Sequence, residues 1–273
     1  MPERTSLLPL VLAIALAWPA GVHASSFREL SWEDFRGPTP KPGRTVLTGF
    51  YSVQSGKMKS AIRLEYLVET GGVTFLMAAD GVRGRYRVKA DLTPVDLQTD
   101  ISSPESIAFI GYDARKALLK EGMRLEWSLW KGGAVTKRSE VSLARPMVNS
   151  DTLGLCLQRL LLLRPESRSG ELFLMSMGMR LGVDFRYFTA SKLGEISKYR
   201  LPPEAASRTS ALTKTLHVYE MSASGLIGFF ASDKYYQVFR DDAEKTPVAY
   251  WGGGEKAFEF MIIDSIERKP AVP

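Results

Sequence analysis

The 273 residues carry 36 Lys and Arg against 30 Asp and Glu, a formal net charge of +6, with two histidines and one cysteine. One cysteine excludes an internal disulfide framework and any multi-cysteine metal site, and two histidines leave little room for multi-histidine metal chemistry. The length suits a single β-rich domain whose core is large enough to need no covalent staple.

Residues 1–24 read as an export signal: Arg4 is the basic start, Leu7 to Trp18 the apolar run, and Val22-His23-Ala24 a small-x-small cleavage site. The mature chain is expected to begin at Ser25, with no cysteine there to take a lipid. No later run is long and apolar enough to span a bilayer as a helix. Export places the chain in the periplasm of a two-membrane bacterium, or outside the cell. That removes nucleic acid as a partner for the positive charge and leaves anionic lipid, lipopolysaccharide or a cell-wall polymer. A solvated basic surface with no partner is the plainer alternative.

Residues 25–43 form a lead-in: Ser31 can cap a turn through Trp32 to Phe35, and the tract from Gly37 to Gly43 is a Pro/Gly linker. LSWEDFRG resembles a W-x-D-F-x-G stretch near the start of some secreted metalloproteases, but the H-E-x-x-H that such an enzyme needs is absent, so no activity comes with it. Residues 44–268 are expected to form one domain and 269–273 a tail.

From Arg44 to Met147 the pattern is strand after strand. Ile62, Leu64 and Tyr66 alternate with Arg63, Glu65 and Leu67, and Gly71-Gly72 turns the chain into Val73 to Ala79. Tyr86, Val88, Ala90 and Leu92 alternate with Arg85, Arg87, Lys89 and Asp91, and Gly132-Gly133 separates Met123–Lys131 from Ala134–Leu143. DARKALLKEG at 113–122 fits a short helix or a charged connection.

NSDTLGLCLQRLLLL, Asn149 to Leu163, is the only long stretch with helical spacing. Asn149, Ser150 and Asp151 can cap its first turn and Pro165 stops it. Leu153, Cys156, Leu157, Leu160, Leu161 and Leu163 share one apolar arc, with Gln158 and Arg159 outside it and Leu155 and Leu162 on a second, smaller face. Cys156 inside that arc reads as a buried, unreactive thiol.

Beyond the helix, strands are expected at Leu172–Leu181, Gly182–Phe188, Leu212–Met221, Gly225–Ala231, Tyr235–Arg240, Thr246–Trp251 and Phe258–Ile266, with a loop at Leu201–Ala211 and a hairpin tip at Gly252-Gly253-Gly254. A long meander, the segment MVNSDTLGLCLQRLL, and then YYQVFRDDAEKTPVAYW, with its acidic turn Asp241-Asp242 and Pro247, resemble an exported bacterial family. That family is catalogued as a domain of unknown function, numbered thirty-one-zero-eight. The resemblance implies export and a β-rich fold, and it brings no activity.

His217 is the one histidine of the predicted mature chain, on the same strand face as Tyr219 and Met221. No G-x-S-x-G and no orienting carboxylate at recognisable spacing accompany it, so it reads as a hydrogen-bonded structural residue. Ser128-Leu129-Trp130-Lys131 matches S-x-x-K, but on a strand residues three apart face opposite sides. No catalytic residue and no cofactor motif emerges, and the chain reads as non-enzymatic. Met175, Met177 and Met179 alternate, which suits either core filling or Cu(I) binding through thioethers. Arg83, Arg85, Arg87 and Lys89 put four cations on one strand face, either as a solvated outer face or as a docking strip for phosphates or carboxylates.

The expected fold is mainly β: a curved antiparallel sheet or incomplete barrel wrapped around the one central helix, with a two-sheet sandwich as the alternative. The expected function is a non-catalytic binding or carrier module for an amphipathic or anionic envelope molecule, held by the basic strip together with Tyr235, Tyr236 and Trp251. A structural or assembly factor that contacts another envelope protein, and a Met-rich copper binder, are the alternatives.

Overall fold

The computed structural model describes residues 41–53, 60–91, 93–102, 114–121, 123–143, 153–174, 179–196, 215–224, 234–254 and 257–270. Eight strands come first: β1 (Gly43–Val53), β2 (Ser60–Glu69), β3 (Gly72–Ala79), β4 (Val82–Lys89), β5 (Pro94–Ile101), β6 (Ala114–Lys120), β7 (Arg124–Lys131) and β8 (Ala134–Ser142). The helix α1 (Leu153–Leu163) follows, then β9 (Arg168–Leu174), β10 (Met179–Ala190), β11 (Leu216–Ala223), β12 (Lys234–Arg240), β13 (Pro247–Gly254) and β14 (Ala257–Pro270).

All the strands belong to one antiparallel sheet in the order β8-β7-β6-β5-β4-β3-β2-β1-β14-β13-β12-β11-β10-β9. Each half is a meander. Among the described strands the halves pair only where β14 meets β1, so the chain leaves the sheet at one edge, β8, and re-enters at the other, β9, with α1 between. A single curved sheet that does not close is the first of the two expected architectures; the sandwich does not form.

Packing shows why the sheet curls. Val73 of β3 and Val88 of β4 share one buried cluster with Cys156, Leu157, Leu160 and Leu161 of α1 and with Val183, Phe185, Tyr219, Met221 and Phe239 of β10 to β12. β3 and β10 lie roughly 33 Å apart along the sheet, given about 4.8 Å per strand step. Only a sheet bent around the helix brings both into one core.

The convex side of the second meander is buried as well. There Val218, Tyr236, Val238, Ala249, Trp251, Phe260 and Ile262 pack with Leu193 and Ile196 of a short 3₁₀ turn after β10. These strands therefore read as nearly continuous apolar runs, whereas β4, covered on one side only, alternates buried and exposed at every residue.

Four expectations change. DARKALLKEG is neither helix nor irregular connection: Ala114–Lys120 is β6, paired with β5 and β7, with Ala117 and Leu119 buried. Its helix-forming residues yield to a sheet that offers partners on both sides. The stretch Leu172–Leu181 is two strands, because Leu174 ends β9 opposite Met179, which opens β10. Arg159, expected outside the apolar arc, is only 4% exposed, since the sheet wraps more of the helix than one arc. Gly252 to Gly254 are strand residues of β13 rather than a hairpin tip. Other boundaries shift by a few residues, and Gly225–Ala231 and Leu201–Ala211 lie outside the described residues.

Candidate functional site

The cations of β4 lie on the convex face of the sheet, all four exposed. The register places acids beside them: Asp96 of β5 opposite Arg87, with which it forms an ion pair, and Asp100 opposite Arg83, while Gln98 opposite Arg85 donates a hydrogen bond to Asp100 at 3.0 Å. Glu65 on β2 likewise pairs with Arg44 at 2.6 Å and with Arg63 at 3.4 Å. The strip is thus a face of mixed sign, and its net field is smaller than the run of four cations suggests.

The three aromatic residues expected to join that strip do not converge on it. Tyr235 faces the helix side, its ring stacked on Tyr250 at 6.2 Å between centres. Tyr236 and Trp251 face the other way, stacked at 5.3 Å and buried in the convex cluster. β12 and β4 are separated by the whole β3-β2-β1-β14-β13 stretch of the sheet. Met179 opens β10, and Met175 and Met177 lie outside the described residues. Ser128 and Lys131 sit on strand β7, where Ser128 accepts a hydrogen bond from Trp130 Nε1 at 3.0 Å.

His217 is the centre of a polar network that the sequence did not disclose. Its Nδ1 shares a hydrogen bond with the Tyr187 hydroxyl at 2.9 Å, and its Nε2 lies 3.0 Å from Asp241 Oδ1 and 3.1 Å from Lys245 Nζ. Lys245 also pairs with Asp241. The Lys245 ammonium and the His217 ring hold the Asp241 carboxyl down to about 2, well below its ordinary range, and burial pushes the Tyr187 phenol up.

Asp241 and Lys245 stand on the β12–β13 turn, which a second carboxylate shapes. Asp242 accepts from the Thr246 amide at 2.9 Å and the Thr246 hydroxyl at 2.8 Å, and it pairs with Arg268 at 3.1 Å. Burial alone would raise the Asp242 carboxyl; the Thr246 amide and hydroxyl and the Arg268 guanidinium together hold it below its usual value. The turn keeps Lys245 at a φ of 50°, a left-handed conformation costing about 1–2 kcal/mol for a residue with a Cβ. Both His217 ring nitrogens are engaged. The network can orient and neutralise charge, which suits the structural role read from the sequence.

The free end of the β7–β8 hairpin is the second feature the sequence reading passed over. Residues 128–138, SLWKGGAVTKR, contain three cations and no acid, and Gly132 and Gly133 turn the chain with φ of 57° and 77°. Lys116 Nζ stands 5.0 Å from the Trp130 ring centre, and Lys137 Nζ 5.5 Å from that of Trp127. Val135, opposite Trp130 in the register, is 42% exposed. Every residue from Lys131 to Glu140 except Ser139 is exposed, so this end stands clear of the core on both faces. The readable signal was the absence of acids around a Gly-Gly turn, which the strand pattern overshadowed.

A shallow depression of about 310 Å³ lies on the convex side where the two meanders join, lined by Gly49, Phe50, Arg63 and Asp264 among others. Among the described residues no group of three or more His, Cys, Asp or Glu is placed to hold a metal ion, and no helix is long and apolar enough to cross a membrane.

No family model matches the sequence, and no curated protein matches it. Among solved structures, the chain is similar to a beta-barrel-like protein of the domain of unknown function DUF1849 from Brucella abortus, with 6% identity over 85% of this chain and 100% of that one and a TM-score of 0.42. It is also similar to a "putative lipoprotein" from Parabacteroides distasonis, with 7% identity over 84% of this chain and 97% of that one and a TM-score of 0.27. The fold stands on the strand order and packing of this chain rather than on these likenesses, and the family numbered thirty-one-zero-eight remains a resemblance of sequence motifs.

Proposed function

We propose that the chain is a non-catalytic binding module of the bacterial cell envelope that works through its outer surface and sheet edge rather than through an internal cavity. Placement in the envelope follows from the export signal read in residues 1–24. The observation that carries the rest is the position of α1: Cys156, Leu157 and Leu160 are at most 1% exposed, on the concave face where a carrier would hold its ligand. A carrier needs an apolar hollow with a few convergent polar groups. Of the three aromatic residues expected to line it, Tyr236 and Trp251 are spent on the convex cluster, and Tyr235 packs with Tyr250 against the cluster that α1 fills.

The edge left open points the same way. Among the described residues β8 ends the sheet with side chains exposed on both faces, which leaves its outward backbone groups and its cations available to a partner. Two measurements on protein taken from its own envelope test the reading. Native mass spectrometry should return the bare chain, and N-phenyl-1-naphthylamine should show no saturable uptake by the folded protein. A reproducible small-molecule adduct together with saturable uptake that a fatty acid displaces would restore the internal carrier and end this proposal.

A further inference from the structure

Charge along the β6–β7–β8 unit is sorted by position. At the β6–β7 turn, cations and acids neutralise one another: Lys120 pairs with Glu126 at 2.9 Å, and Arg124 reaches Glu126 at 3.5 Å and Glu140 at 3.6 Å. At the β7–β8 end, Lys131, Lys137 and Arg138 have no ion pair among the described residues. Lys116 and Arg138 stand in one cross-strand row on either side of Ser128. Glu126 and Glu140 lie two residues along from the Ser128–Arg138 pair, held there by Lys120 and Arg124, and Asp100 of β5 stands opposite Lys116 and also opposite Arg83. Beside these cations lie Trp130, half-buried, and Val135, which is exposed.

From this arrangement we infer that the free end of the β7–β8 hairpin docks on an anionic membrane surface, with Trp130 and Val135 at headgroup level and Lys116, Lys131, Lys137 and Arg138 against lipid phosphates. Lysines on an edge strand also discourage sheet-to-sheet pairing. That role needs cations on β8 alone, whereas Lys116 lies two strands inward and an exposed Val135 on the edge strand would work against it. An indole beside lysines, with a polar tip and an apolar body, is the combination that partitions to a bilayer interface. Cations near an anionic leaflet each strengthen partition by roughly fivefold, from about 1 kcal/mol apiece, and the effect is screened by salt. The inference rests on the outer-surface reading above, and it names the surface.

The test is co-sedimentation of the full chain with vesicles of phosphatidylglycerol and phosphatidylethanolamine, compared with phosphatidylcholine alone. All variants share one N terminus, so its apolar run contributes equally to each. K137E/R138E should lower partition onto the anionic vesicles at least ~10-fold, and raising the salt should do the same to the unsubstituted chain. V135D should weaken it as well, and R83E/R85E on β4 should change it less than about twofold. Quenching of indole fluorescence by brominated phosphatidylglycerol should drop on Trp130→Phe, a readout that needs no charge reversal. Equal partition of K137E/R138E and the unsubstituted chain, or an equal loss in R83E/R85E, overturns the inference, as does affinity for an acidic protein segment without affinity for vesicles. Its failure is separable from that of the proposed function: vesicle binding together with saturable uptake of N-phenyl-1-naphthylamine would keep the docking surface and end the outer-surface reading, and the converse pair would do the opposite.

Discussion

Asp241 Oδ1 lies 3.0 Å from His217 Nε2, bringing together two residues from neighbouring elements of the second meander. His217 pairs with Phe239 in the antiparallel β11–β12 register, so Asp241, two residues beyond Phe239, is its diagonal neighbour at the end of the ladder. Tyr187 reaches the same ring from β10, and Lys245 closes the group from the β12–β13 turn.

The network sets an acid-side stability window. The Asp241 carboxyl is held at about 2 in the fold, below its ordinary 3.8. A depressed carboxylate favours the folded state above its unfolded value, and that contribution is lost as pH falls through the folded value, here between roughly pH 4 and pH 2. Asp241→Asn removes the titration. Urea melts at pH 2, 3, 4 and 5 should show a shallower loss of stability in the variant across that window, with Asp242, Glu65, Glu126 and Glu195, whose carboxyls are also held below their usual values, contributing to the slope that remains. Parallel curves for the two proteins would show that the pairing seen at His217 does not persist in solution.

The join between the meanders is the place where one atom should matter most. A Cβ on Gly49 would lie 1.9 Å from the Ile262 carbonyl oxygen, beside the irregularity in the β1–β14 register at Thr48 and Gly49. Backbone cannot yield as a side chain can, so Gly49→Ala should cost about 3 kcal/mol or more. Gly71→Ala, where a Cβ meets nothing within 4 Å, should change stability by no more than about 1 kcal/mol in either direction. Denaturant melts of the two variants decide it, and a Gly49→Ala protein as stable as Gly71→Ala would mean that the join is loose.

How legible this was in the sequence depended on whether one neighbour or two decided each residue. β4 could be read because its outer face meets only water, and Val82, Tyr86 and Val88 then alternate with cations. α1 could be read because its leucines repeat at helical spacing. β6 could not, because ARKALLK has the composition of a helix and becomes a strand only through β5 and β7 on either side. The partnership of His217 with Asp241 was hidden for a related reason: 24 residues separate them, and only the hairpin register closes that distance. The basic strip misled in a third way, since the acids that balance Arg83 and Arg87 lie on the next strand.

Helix burial predicts unequal leucines. Leu157 and Leu160 are each 1% exposed inside the cluster that joins the two halves of the sheet, while Leu162 is 44% exposed. Leu157→Ala and Leu160→Ala should each cost about 2–5 kcal/mol, and Leu162→Ala about 0.5 kcal/mol or less. Because Val73 and Val88 share that cluster, the two buried variants should also speed hydrogen exchange in β3 and β4. Exchange faster only in β9 to β12 would show that the helix belongs to one meander.

Two phenols, one half-buried and one buried, close the set with opposite expectations. Tyr187 donates to, or accepts from, His217 Nδ1 at 2.9 Å, so its hydroxyl is tied into the network. The Tyr219 hydroxyl, its ring 5.6 Å from that of Tyr187, is buried with no hydrogen-bond partner among the described residues, and burial pushes its phenol well above the usual range. A buried hydroxyl without a partner opposes folding by its desolvation, whereas a paired one contributes about 1 kcal/mol. Tyr219→Phe should therefore leave stability unchanged or raise it by up to about 1 kcal/mol, and Tyr187→Phe should lower it by about that amount. Thermal melts at pH 7 compare the two directly. A clear loss in Tyr219→Phe would reveal a partner for that oxygen and extend the His217 network into the core beneath α1.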